Sequence, residues 1–157
     1  QAIGFTPDEA SFRAMSVRFM AAYEERKAEC RLHPHAETLL DGLTAAGLTH
    51  SVLSAYERSL LTTTLAQYGL DRRFIKACGG HDIHAGSKEE SARLHLSDLA
   101  HRPEEVIYIG DTAHDAEAAA AMGVDCVLAA HGHQHRARLE GLGVRVVDGF
   151  AELLAEL

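Results

Sequence analysis

VIYIGDTAHDAEAAAAMG, residues 106–123, holds a complete strand, turn and helix in eighteen positions. Val106 to Ile109 is a short apolar run of strand-forming residues, Gly110 permits a tight turn, and Thr112 to Met122 is an Ala-rich stretch of helical length stopped by Gly123. Asp111 and Asp115 stand at the strand end and in the first helical turn. Two carboxylates in that arrangement could hold a hard cation with oxygen ligands, such as Mg²⁺. The same residues could also serve as ordinary helix caps.

Outward from this segment the pattern repeats. Helices are predicted over His35–Ala46, Tyr56–Tyr68 and Ser87–Ala100, and strands over Thr49–Ser54, Phe74–Cys78, Val124–Ala130 and Val144–Val147. A helix around Glu140 and a closing helix over Phe150–Leu157 complete the series. Strands alternating with helices imply an α/β fold with a parallel sheet and helices on both faces. Towards the N-terminus, Thr6, Pro7 and Glu9 have the form of a capping box that opens a helix running to about Arg31. Phe12, Met15, Phe19, Ala22 and Tyr23 recur on one face of it. The change from this single amphipathic helix to regular alternation places a domain boundary near Arg31, dividing the chain into residues 1–31 and 32–157.

The chain has 157 residues, 46% hydrophobic and 24% charged, with 3 Pro and no Trp, as suits a soluble domain with its own core. Its net charge of −8 would repel a phosphate backbone, so no nucleic-acid partner is expected. No apolar run is long enough to span a bilayer, and no membrane partner is expected. Cys30, Cys78 and Cys126 are widely separated and odd in number, so they read as reduced thiols of a cytoplasmic protein. The sequence begins with Gln1 instead of Met, which suggests a start that was cut or processed.

In open parallel sheets ligands bind beyond the carboxyl ends of the strands. The residues there are Ser54-Ala55-Tyr56, Gly79-Gly80-His81-Asp82, Gly110-Asp111-Thr112 and His131-Gly132-His133. Ser54 could cap the next helix or, with the amides that follow, hold a phosphate at its positive end. Lys88 opposes the dipole at a helix start, which suggests a nearby anion, although a solvated surface lysine would fit too. His131, His133 and His135 could share a metal if their segment were extended.

A serine closing a strand, a lysine opening a helix and GDTAHDAEAA after a later strand, in this order, resemble the haloacid dehalogenase superfamily, in particular its phosphoglycolate-phosphatase-like branch. The resemblance runs from about His33 to Leu157 and includes RLHPHAETLLDGLTAAGL, residues 31–48. It implies a Rossmannoid core and makes residues 1–31 the remnant of a helical cap. It also implies an Mg²⁺-dependent phosphatase acting on a small phosphorylated metabolite through an aspartyl-phosphate. Ser54 and Ala55 would bind the phosphoryl group, Lys88 would neutralise phosphate and nucleophile charge, Asp111 would ligate Mg²⁺, and Asp115 would support that metal site.

One departure bears on activity. The family opens with an apolar strand ending in D-x-D-G-T, whose first Asp attacks phosphorus and whose second protonates the leaving group. No D-x-D occurs in these 157 residues. Loss of that central strand would expose two strand edges, so the expectation is a piece of a longer parent enzyme, inactive by itself. A strand from a second copy could fill the gap and give a homodimer. The alternative is a non-catalytic domain of the same fold that binds a ligand or partner. Two smaller differences, Ala55 where the family often has Asn and no Pro after Lys88, bear on the substrate.

Overall fold

A computed structural model describes residues 8–80 and 88–156 of the chain. Two compact units divide at His33/Pro34.

The first unit holds helix α1 (Glu9–Arg26), followed by a 3-10 turn over Lys27–Glu29. Asp8, not Thr6, is the N-cap: its carboxylate accepts from the Ser11 amide at 2.8 Å and the Ser11 hydroxyl at 2.9 Å. An ionised carboxylate is a strong acceptor and also favours the positive helix end. Thr6 and Pro7 lie outside the described residues. Phe12, Met15, Phe19 and Tyr23 are exposed, and the Phe19 and Tyr23 rings stack with centroids 6.5 Å apart.

The second unit alternates as the sequence predicts. It runs α2 (Ala36–Ala45), β1 (Ser51–Leu53), α3 (Arg58–Gln67), β2 (Lys76–Cys78), α4 (Lys88–Leu99) and β3 (Ile107–Gly110). Then follow α5 (Ala113–Met122), β4 (Asp125–Ala129), α6 (Arg136–Glu140), β5 (Arg145–Val147) and α7 (Phe150–Leu154). Every described ladder is parallel. β1 pairs with β2, Ser51 opposite Lys76, in one sheet; β3, β4 and β5 form a second in that order, with Ile107 opposite Asp125 and Val127 opposite Arg145. Among the described residues β1 and β3 share no ladder, so each keeps one unpaired edge.

Helices cover both faces of the second sheet, as side-chain alternation along a strand requires. On one face Ala92 and Leu96 of α4 pack with Ala118, Ala119 and Met122 of α5, and with Leu53 of β1 and Tyr108 of β3. A single apolar layer therefore underlies strands of both sheets. Leu128 of β4 adjoins Ala116 and Leu139 beside it. On the other face Val127, Ala129 and Val147 meet Phe150 and Leu153. Ile107 and Ile109 are left 64% and 40% exposed. Among the described residues no helix is long and apolar enough to cross a membrane.

Candidate active site at the strand ends

The Asp111 turn is built around a buried carboxylate. Asp115, 8% exposed, occupies the third position of α5 and closes a capping box with Thr112. Its Oδ2 accepts from the Asp111 amide at 3.0 Å, the Thr112 amide at 2.9 Å and the Thr112 hydroxyl at 2.7 Å. Its Oδ1 accepts from the Tyr108 hydroxyl at 3.3 Å. Such donors stabilise a buried anion that would otherwise be costly. Burial, and next the Asp115 charge, push the Tyr108 phenol well above its ordinary range. The same two causes push the Cys126 thiol up to about 11. A Cβ at Gly110 would lie 2.3 Å from the Asp115 Cβ, so only glycine lets the strand end pass this close. Asp115 thus braces the turn that presents Asp111.

The loop after β4 closes over that turn. Asp111 Oδ2 accepts from the His133 backbone N–H at 2.7 Å, and the His133 ring Nδ1 lies 2.6 Å from the same oxygen. A Cβ at Gly132 would come within 2.1 Å of Asp111 Oδ2. Gln134 Oε1 accepts from the Ala113 amide at 2.9 Å, which ties the loop to the start of α5. Sequence reasoning missed Gly132, His133 and Gln134 as supports of Asp111. Their position after a strand was a signal, but it gave no partner.

The histidine trio does not form a shared metal site. His133 turns to Asp111, the His131 ring packs edge-on against Phe150 with centroids 4.7 Å apart, and His135 caps α6 by accepting from the Ala137 amide. Each ring has a different local task, and the bend at Gly132 removes the extended geometry that one face would need. Among the described residues no group of three or more His, Cys, Asp or Glu could hold a metal. Asp111 supplies one carboxylate, with Oδ1 receiving no hydrogen bond among the described residues. It suits one ligand position in a site completed by other oxygens.

Ser54 follows β1 directly. Its amide donates to the Cys78 carbonyl at 2.9 Å, extending the ladder, and its hydroxyl accepts from the Tyr56 amide at 3.1 Å. The Gly80 amide donates to the Tyr56 carbonyl at 2.8 Å, joining the loops after β1 and β2. Ala55 is exposed. The start of α3 is occupied differently from expectation: the Glu57 carboxylate accepts from the Ser59 and Leu60 amides. An anion at Ser54 would therefore meet the Ser54–Ala55 loop, because Glu57 already neutralises the helix end.

The Lys88 backbone begins α4, while its side chain lies outside what the structure describes. His81 and Asp82 also lie outside the described residues. Ser54 and Asp111 thus both stand at carboxyl ends of parallel strands, and Asp115 supports Asp111 from within.

Residues 3–129 match the family model for a haloacid dehalogenase-like hydrolase. The chain is 26% identical over 148 residues to phosphoglycolate phosphatase 1 of Pseudomonas aeruginosa, covering 93% of this chain and 54% of that protein. It is also 26% identical over 152 residues to the phosphoglycolate phosphatase of Haemophilus influenzae strain 86-028NP, covering 95% and 68%. The chain thus spans about half the length of the first and two thirds of the second. A haloacid dehalogenase-like family hydrolase from Streptococcus pneumoniae shares the fold with a TM-score of 0.79 at 22% identity, covering 96% of this chain and 76% of that one. With the strand-end aspartate and the parallel α/β order in place, the chain belongs to the haloacid dehalogenase-like hydrolase family.

Proposed function

We propose that this chain is part of an Mg²⁺-dependent phosphatase that hydrolyses a small phosphomonoester through an aspartyl-phosphate. The observation that carries the reading is the Asp111 carboxylate, presented at the end of β3 by a turn that Asp115 braces with both oxygens. A bound Mg²⁺ would neutralise phosphoryl charge. Asp111 would be its ligand, with Asp115 supporting the site. Ser54 and the Ala55 backbone would hold phosphoryl oxygens, and Lys88 would balance the charge of phosphate and nucleophile.

The attacking carboxylate and the acid for the leaving group come, in this reading, from a D-x-D-G-T strand preceding Gln1 in the whole protein. That strand would lie between β1 and β3, whose facing edges lack a ladder among the described residues. The carboxylate attacks phosphorus as the ester oxygen leaves with a proton from the second aspartate, and water then hydrolyses the acyl phosphate. Residues 1–31 would be the end of a helical cap, and 32–157 the rest of the core.

The test is the full-length protein assayed against a panel of small phosphomonoesters with Mg²⁺ and with chelator. Turnover that requires Mg²⁺ and is lost in Asp111→Ala and Lys88→Ala supports the reading. Turnover unaffected by chelator, or none against any ester, overturns it; the latter favours a non-catalytic ligand- or partner-binding domain.

A further inference from the structure

A polar pair joins α4 to the first sheet. His95 is 5% exposed, between the buried Ala92 and Leu96 on the inward face of α4. Its Nε2 lies 3.0 Å from the hydroxyl of Ser51, the first residue of β1. Among the described residues His95 Nδ1 is buried without a hydrogen-bond partner. The tautomer with its proton on Nε2 donates to Ser51 and leaves only a lone pair unmatched, the cheaper choice inside a protein. One turn further along α4, Asp98 pairs with Lys76, which stands opposite Ser51 in the ladder. Two neighbouring strand starts are thus joined to two neighbouring positions on one helix.

A leucine at position 95 would pack well at many helix offsets, whereas a hydrogen bond is satisfied at one. Sliding α4 by a residue moves His95 about 1.5 Å and rotates it about 100° away from Ser51. Buried polar groups can be kept for such register at the expense of stability. The spacing extends the consequence to the strand ends. The Lys88 backbone is two helical turns before His95, about 10 Å along the axis. Ser54 is three residues after Ser51, also about 10 Å along the strand. Equal runs from one fixed point bring the backbones of Ser54 and Lys88 to the same level.

We infer that Ser51 and His95 are positioning residues that set α4 against β1, so that Ser54 and Lys88 act on the same phosphoryl group. The inference rests on the phosphate-binding reading of Ser54 and Lys88, and it adds a pair that touches neither substrate nor metal. Lys76 adds a pairing to Asp98 in the half-exposed margin, where an ion pair alone fixes little.

The experiment uses the full-length protein with Ser51→Ala, His95→Leu and His95→Gln, whose amide nitrogen can reach the place of Nε2. Amide hydrogen exchange is followed at residues 54–56 and 88–91, and inorganic phosphate is titrated in the presence of Mg²⁺. Ser51→Ala and His95→Leu should speed exchange at both segments together and weaken phosphate binding roughly tenfold, the scale of a displacement near 1 Å. His95→Gln should stay within about threefold of wild type. Faster exchange confined to the neighbours of residues 51 and 95, or His95→Leu matching His95→Gln, overturns the inference. Ser54→Ala and Lys88→Met serve as controls. If they leave phosphate binding unchanged, the phosphate-binding reading has failed, and exchange at the two segments still decides whether Ser51 and His95 couple them.

Discussion

One carboxylate oxygen of Asp111 takes both the backbone N–H of His133 at 2.7 Å and its ring nitrogen at 2.6 Å. The two contacts differ in what holds them. The backbone group is fixed by a loop that passes within clash distance of Asp111 at Gly132, whereas the His133 side chain is 86% exposed. An exposed ring held by one contact adds little, while a loop fitted against a carboxylate tolerates no added atom.

Gly132→Ala should therefore displace the loop and lower Mg²⁺-dependent turnover of the full-length protein at least tenfold, while His133→Ala should change it less than threefold. Steady-state kinetics across a Mg²⁺ titration compares the two. The reverse order would show that the ring, not the backbone, governs Asp111.

Asp115→Ala removes a buried acceptor from the Asp111 and Thr112 amides and the Thr112 hydroxyl of the half-buried turn, and from the Tyr108 hydroxyl of β3. Its unfolding free energy in urea should fall by about 2–3 kcal/mol, from the lost cap and the donors left unmatched. Thr112→Ala should cost about 1 kcal/mol, and the double variant less than the sum because both belong to one capping box. Additive losses would contradict that coupling.

His95 should make stability fall in mild acid. Burial holds its pKa below the ordinary 6.5; Lys76, which lines a small cavity with His95 between α4 and β2, adds to this, and Asp98 opposes it. The unfolded chain therefore takes up a proton as pH drops through about 6.5 while the folded protein does not, so stability is full above that pH and declines below it. Arg58, which lines the same cavity, adds positive charge. Urea midpoints at pH 7.5 and 5.5 should differ more for wild type than for His95→Gln; an equal drop in both would place the sensitivity elsewhere.

Leu128 has no exposed surface and lies among Ala116 and Leu139. Leu128→Ala should destabilise by about 2–5 kcal/mol, from the lost burial and the cavity left in a fully packed layer. Calorimetry or urea unfolding measures this, and a loss under about 1 kcal/mol would mean that the layer collapses around the gap.

The order of elements was legible because four of the five short apolar runs end at Gly, Ser or Asp, at Ser54, Gly79, Gly110 and Asp148, and strand-length runs alternate with helix-length ones. Ends were less legible: Thr6 had the form of a cap, yet Asp8, a stronger acceptor with Ser11 in reach, takes that place. β1 and β2 are shorter than the apolar runs that announce them. At the site, Gly110, Asp111 and Thr112 with Asp115 are adjacent in sequence, so their turn could be read directly. Contacts that join distant segments were not readable. Nothing local in AAHGHQH says that Gly132 and His133 close on Asp111 instead of sharing a metal, and nothing in LSAYERS says that Glu57 takes the amides of α3. Ser51 and His95 likewise looked ordinary until the fold brought them together.

The division of the sheet also bears on how the chain assembles. Every described ladder joins strands separated by a single helical connection, Ser51 with Lys76, Ile107 with Asp125 and Val127 with Arg145. Each half is therefore held by pairings between neighbours in the chain, and among the described residues no ladder joins one half to the other. What joins them is α4, whose Ala92 and Leu96 share one cluster with Leu53 of the first sheet and Tyr108 of the second, so a change on that helix face is felt in both.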